Sequence, residues 1–361
     1  MKLYADRLKG ILLRTREGLR IENFSPKETF SIPGVKRFRF SEKIQDYMMS
    51  FVSYPQEIGK LKADIFHIVD HANAYLIDRL NPAKTVITCH DLIILKIMTK
   101  KLCLGYEKRD VNRIAAEIFK KSSRRISRAA GLIAGSRATK KDMLSFLPCK
   151  EKNIRVIYYP VDKAFRKVYD TVKLHEKRNA IAGNAKYIML HVGSCASYKN
   201  IAGLIRAFKR LVERYGRDIF FIKVGKLKRE HLELIRRFNL SKYMRIIPWA
   251  EINELNLLYN LADLFIFPSL YEGYGWPVLE AMACETPVVS SDKGGLKEAV
   301  EGAAHIVDPY DADSMAKGII KGLEDKKLRS SLVSKGLDRI KRINCKEIAE
   351  KTYQIYQEIY S

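Results

Sequence analysis

Ten short apolar runs, separated by stretches long enough to cross back over a sheet, constrain this chain more than any other feature. They fall at 65–69, 85–89, 131–134, 154–158, 187–192, 219–224, 245–247, 264–267, 287–290 and 305–307. Several are apolar throughout, as in Leu264-Phe265-Ile266-Phe267. That is how strands covered on both faces of a parallel sheet read; a strand with one wet face alternates instead. Between the runs, Leu204, Phe208 and Leu211 recur at i, i+4, i+7, the spacing of one helix face. The alternation predicts an α/β fold of repeated strand–helix–strand units in doubly wound parallel sheets.

At 361 residues the chain exceeds the ~150 typical of one domain, so two are expected. The alternation weakens over 162–186, where Lys173, His175, Glu176, Lys177, Arg178 and Asn179 cluster. This stretch is predicted to be a linker. It divides a first domain, 1–165, from a second, 166–345, and an amphipathic helix is expected over 346–361. Two parallel sheets facing a cleft would place a ligand beyond the carboxyl ends of their strands.

Composition narrows the class. No run approaches the ~20 apolar residues of a membrane span, and Asp6, Arg7 and Lys9 interrupt any secretory signal. The six cysteines form no CxxC pair, so free thiols in a reducing cytoplasm are expected, with no metal site. The net charge is +25, of which residues 1–170 carry +17 (35 Lys and Arg against 18 Asp and Glu). Lys100-Lys101 and Lys120-Lys121-Ser122-Ser123-Arg124-Arg125 concentrate it. A solvated basic surface and an anionic membrane surface both fit this pattern. A nucleic-acid binder finds support in the charge alone, without interleaved aromatics or zinc spacing, and no nucleic-acid partner is expected.

The chemistry concentrates in Glu272-Gly273-Tyr274-Gly275-Trp276-Pro277-Val278-Leu279-Glu280. Two carboxylates eight positions apart bracket a glycine-rich turn. Gly273 and Gly275 permit close backbone approach to a ligand, and Pro277 suits the first turn of a helix. That helix start would offer N–H groups and a positive dipole end to a phosphate. Glu280 would lie near a ribose, and Glu272 would face a sugar. A second constellation is His191-Val192-Gly193-Ser194 followed by Lys199-Asn200: a strand ending in Gly, then a compact cation suited to a diphosphate. A third is Thr88-Cys89-His90-Asp91, which delivers His90 at a strand's carboxyl end, with Asp91 placed to cap the next element or orient the ring. Ser136 is expected to cap a helix. His67 and Asp70 are candidates for the acceptor side or for packing and capping.

The Glu272–Glu280 segment resembles the E-x7-E motif of retaining glycosyltransferase family 4. The resemblance extends through Ala262–Ser269 before it and through Glu280–Val289 and Gly294-Gly295-Leu296-Lys297-Glu298 after it. It implies a GT-B fold, two Rossmann-like domains facing a cleft, with the last helix returning to the first domain. It implies a retaining hexosyltransferase that takes a nucleotide-sugar donor as co-substrate, without a metal, and a glycan or lipid-linked acceptor. The His-Asp pair and Trp276-Pro277 point to the mannosyltransferase-like branch and to GDP-mannose ahead of UDP-sugars. Polysaccharide or lipopolysaccharide synthesis, in the cytoplasm or on the inner face of the plasma membrane, is the implied setting. The family pattern makes Lys199 the diphosphate cation, Glu272 and His90 the contacts of the transferred sugar, and Glu280 the ribose contact. Gly193, Ser194, Gly273, Tyr274 and Gly275 complete the donor site. Ser194 stands where many members carry Arg. Members also open with an apolar strand and a glycine-rich loop before a helix like Leu3-Tyr4-Ala5-Asp6-Arg7-Leu8. Here that strand and loop are expected to be missing, with Met1 an internal methionine and a central sheet edge left open. A GT-B sugar-nucleotide epimerase and a catalytically inactive basic binding subunit are the competing readings.

Overall fold

The computed structural model describes residues 2–25, 54–106 and 113–361. Two parallel sheets form. The first comprises β1 (Phe66–Ile68), β2 (Thr85–Cys89), β3 (Gly131–Ala134) and β4 (Ile154–Val156), in that spatial order. The second comprises β5 (Tyr187–Val192), β6 (Ile219–Val224), β7 (Met244–Ile247), β8 (Leu264–Phe267), β9 (Val288–Ser290) and β10 (His305–Ile306), in the order β10-β9-β8-β5-β6-β7. Each strand sits on one of the predicted runs, and every pairing is parallel. The all-apolar runs are buried on both faces: every residue of β8 is fully covered. Helices supply the cover, as Leu204, Phe208 and Leu211 do by packing under β5 and β6.

The second sheet is wound outward in both directions from β5, whose neighbours are β6 and β8. The β5–β8 boundary is therefore a topological switch point, where the loops leaving the two strands diverge and open a crevice. The loops that leave it carry Gly193 and Lys199 on one side and Glu272 on the other.

The stretch predicted as a linker is more ordered than expected: residues Thr171–Ala182 form a helix. Its periodicity is silent because only Ala182 is buried, leaving no apolar stripe to read. Its ends specify it instead. Asp170 accepts from Lys173 N at the start, and Gly183 ends it at φ +56°. Arg178 then ties the helix to the sheet through Leu261 O, Lys186 O and Asp263.

The helix Lys2–Thr15 buries Tyr4, Leu8, Ile11 and Leu12 in one core with Val86 and Ile133. Among the described residues no strand precedes it, and none pairs with the outer side of β1; Met1 lies outside the described residues. The helix Cys345–Tyr360 runs back from the second sheet to the first. There it presses Ile355 and Ile359 against Gly131 so closely that a Cβ at that glycine would lie 2.7–2.8 Å from them. Among the described residues no helix is long and apolar enough to cross a membrane. The six cysteines are unpaired.

Candidate functional site

At the switch point, β5 ends at Gly193 and a short 3₁₀ turn, Ser197–Lys199, follows. Asn200 closes that turn in the left-handed conformation, φ 58°, with its amide donating to Pro268 O at 3.2 Å and to Pro309 O at 2.5 Å. The turn is thereby bolted to the loop after β8, which fixes the next contact: Lys199 Nζ lies 2.7 Å from Glu272 Oε1. Both side chains are almost covered, and the Phe267 ring lies 4.9 Å from the ammonium. Two of the expected site residues thus meet directly. Ser194 is exposed, its hydroxyl accepting weakly from Ala196 N.

The segment after Glu272 is packed to the limit. A Cβ on Gly273 would lie 2.1 Å from His90 O, so only glycine lets the two sheets approach here. Thr139 stitches the junction, its hydroxyl reaching both His90 O (3.1 Å) and Gly273 O (3.3 Å). Gly275 takes φ +115° and starts the helix Trp276–Ala283, with Pro277 in its first turn. Tyr274 turns away from the crevice: its ring stacks on Tyr158 at 5.3 Å and its hydroxyl accepts from Arg339. Glu280 lies on the helix with its carboxylate buried and accepting from the Tyr259 hydroxyl at 3.0 Å. Burial pushes its pKa up to about 7.

The first sheet contributes His90, and its ring is fully occupied. Nε2 is 2.7 Å from Val69 O, which can only accept, so Nε2 carries the proton and Nδ1 accepts from the Tyr159 hydroxyl at 2.6 Å. Burial, then the neighbouring His71, hold its pKa down at about 4. Tyr159 and Trp276 close an aromatic cluster round it, 5.1 Å apart. His90 is thus brought to the junction opposite Gly273, in a neutral form engaged with protein partners. Asp91 accepts from Ile93 N just ahead of the next helix, whose N-cap is Leu92, and Ser136 caps its own helix through Thr139 N, as expected. His67 joins β1 to the C-terminal helix through Tyr356 and Thr88, and Asp70 caps the following 3₁₀ segment.

Three features escaped the sequence reading. Glu298, beyond β9, sends its carboxylate across to the other sheet's layer and caps the helix Arg137–Phe146, accepting from Arg137 N at 2.8 Å and Ala138 N at 2.9 Å. Lys96, Asp142 and Tyr271 form a second junction, with Lys96 Nζ 2.6 Å from Asp142 and the Tyr271 hydroxyl donating to the same carboxylate at 2.7 Å. Lys223 in β6 buries its ammonium against Gly193 O and Val224 O, both at 2.7 Å. For Lys223 a signal existed: it is the one charged residue in the run Ile219–Val224. Beside it His191 is fully buried, stacked on Phe267 at 5.7 Å, and neither ring nitrogen has a hydrogen-bond partner. Burial, then the charges of Lys223 and Lys199, push its pKa well below the usual range.

Comparison with known proteins meets this geometry from two sides. Residues 173–339 match the model for glycosyl transferases group 1, and residues 13–165 match that for glycosyltransferase family 4. The chain is 31% identical over 171 residues to O-antigen chain mannosyltransferase B of Escherichia coli, covering 46% of this chain and 45% of that protein. It is 27% identical over 282 residues to the serotype-specific mannosyltransferase WbdA of Escherichia coli, covering 74% of this chain and 33% of that one. The chain thus spans less than half the length of both relatives. Among solved structures, the sucrose-phosphate synthase from Thermosynechococcus elongatus superposes with a TM-score of 0.75 at 20% identity, covering 99% of this chain and 93% of that one. With a GT-B architecture and its two halves matched in tandem, the chain belongs to glycosyltransferase family 4.

Proposed function

We propose that this protein transfers a hexose from a nucleotide-sugar to a glycan or lipid-linked acceptor, with retention at the anomeric carbon. The observation that carries the reading is the Lys199–Glu272 pair at the switch point of the second sheet, 2.7 Å apart and opposite the start of the helix Trp276–Ala283. A cation, a carboxylate and a helix N-terminus converge where a nucleotide diphosphate joins its sugar. On binding, the donor diphosphate takes over Lys199, and Glu272 is released to hydrogen-bond the sugar hydroxyls. Charge that develops on the departing diphosphate falls on Lys199 and the helix end. Glu280 holds the ribose. The donor phosphate accepts the acceptor's proton as it attacks on the leaving-group face, so positioning carries much of the rate. The reading takes the nucleotide-sugar as co-substrate and assigns no metal.

Mannose on GDP is the proposed donor. The two relatives above are named as mannosyltransferases, one of them for an O-antigen chain. That supports a place in cell-surface polysaccharide or lipopolysaccharide synthesis, at the inner face of the plasma membrane. Exposed Lys120, Lys121 and Arg124, on one helix of the first domain, add a basic surface to that picture.

A thermal-shift panel with GDP, UDP, ADP and their sugars tests the donor. A ligand at 100 times its Kd adds about 2.7 kcal/mol to stability. Stabilisation by GDP and GDP-mannose, lost in Lys199→Ala and Glu280→Ala, is the expected result. Stabilisation by UDP-sugars alone would overturn the mannose assignment, and no stabilisation by any nucleotide would overturn the donor site.

A further inference from the structure

The family pattern sets a second cation after Gly193, and this chain has Ser194 there instead. The structure places a different cation under the same turn. Lys223 pairs in register with His191 across β5 and β6, and its ammonium rises to Gly193 O at 2.7 Å. It is 1% exposed, and among the described residues no carboxylate pairs with it. Lys199, by contrast, is paired with the Glu272 carboxylate. A Cβ on Gly225 would lie 2.0 Å from Gly193 O and 2.9 Å from Lys223 Nζ, so the turn, the ammonium and the end of β6 are in mutual contact. The titratable groups facing Lys223 are His191 beside it on β5, Cys195 in the turn and Lys199 beyond, with Glu272 behind Lys199. Glu272 is already engaged by Lys199, and of these groups Cys195 alone favours the ammonium, through its charge when ionised.

We propose that Lys223 is a positioning residue for the donor diphosphate: a buried counter-charge beneath the Gly193–Ser194 turn that takes up a proton when the diphosphate binds. The inference rests on the donor site proposed above. Burial holds the amine near a pKa of about 7, so at neutral pH the protein is spared a full buried charge. A diphosphate seated on the turn favours the ammonium, which already has two carbonyl acceptors in place to hold it. Above pH 7 binding then costs the uptake of one proton, and affinity falls as pH rises. His191 stays neutral between the two lysines and adds no competing charge.

Titration calorimetry of the full chain with GDP and UDP, in buffers of different ionisation heat from pH 6.5 to 8.5, tests this. The readout is the difference in protons taken up between wild type and each variant, in which contributions from Glu280 and from the nucleotide cancel. Wild type is expected to take up about half a proton more than Lys223→Met at pH 7 and about one more at pH 8, with its Kd rising about tenfold between pH 7 and 8.5. In Lys223→Arg the cation is permanent, so binding stays tight and loses that pH dependence. Ser194→Arg, on the exposed turn, restores affinity to Lys223→Met if the missing quantity is positive charge. Equal proton uptake in wild type and Lys223→Met, or no rescue by Ser194→Arg, would overturn the inference while the donor site stands. Failure of wild type to bind any nucleoside diphosphate would overturn the donor site itself.

Discussion

Each sheet delivers a buried histidine to the carboxyl end of a strand, and the two are opposites. His90, after β2, has a partner on each ring nitrogen. His191, at the end of β5, has none. Around His90 the neighbours are tyrosines, a tryptophan and a carbonyl; around His191 they are two lysines and a phenylalanine. The first end is complete as it stands and serves the junction between the sheets. The second has surplus positive charge and unmet hydrogen-bonding capacity. Buried polar groups are normally satisfied, so the unpaired ring of His191 sets this end of the sheet apart.

The sharpest way to break this contrast is Lys199→Ala. If the second end is built for a departing diphosphate, sugar transfer should fall by about 10²–10³ in kcat. A loss confined to KM would show that Lys199 only binds. Next comes Gly273→Ala, whose Cβ would meet His90 O at 2.1 Å. The sheets must move apart by about an ångström, and a displacement of that size costs on the order of 10² in rate. Unchanged transfer would mean that the junction is not part of the working geometry.

The two ends should also titrate in opposite directions. Glu280, held near 7, keeps its proton in the folded chain between pH 4.5 and 7 while the unfolded chain has lost it. Stability contributed by that region therefore falls as pH rises through this window, by about 3 kcal/mol. Glu280→Gln should flatten the fall in urea unfolding and raise stability at pH 8. His90, held near 4, stays neutral while the unfolded chain protonates below 6.5. Its contribution is lost as pH falls from 6.5 to 4. His90→Phe should remove that acid sensitivity and cost about 1–3 kcal/mol at pH 7 by stranding the Tyr159 hydroxyl and Val69 O. Equal acid sensitivity in wild type and His90→Phe would show that His90 does not set it.

The second domain was the more legible. Strand runs, the glycine turn and the Glu272–Glu280 spacing are local, and local patterns survive in a single sequence. The resemblance set Lys199 and Glu272 in one donor site, but their direct pairing came only with the fold, since nothing in their 73-residue separation announces contact. What stayed hidden is what joins the halves. Glu298 reads as an ordinary helix carboxylate until the fold sets it on Arg137 N and Ala138 N, and Tyr271 as a residue beside the motif until Lys96 and Asp142 arrive. The helix Thr171–Ala182 was missed for the opposite reason. It is set by Asp170 and Gly183 at its ends and has no apolar stripe to betray it.

The C-terminal helix gives the order of synthesis a consequence. Its Tyr356 bonds to His67, and its Ile355 and Ile359 cover Gly131. The residues that close the core of the first sheet therefore leave the ribosome only after the whole second sheet has been made. Until they emerge, the first half must wait with that face bare, through the making of the whole second domain. A nascent chain cut short after residue 344 would keep every residue of the Glu272–Glu280 motif and still leave the opposite domain unfinished. Such a product should be recognised by chaperones and proteases through its amino-terminal half.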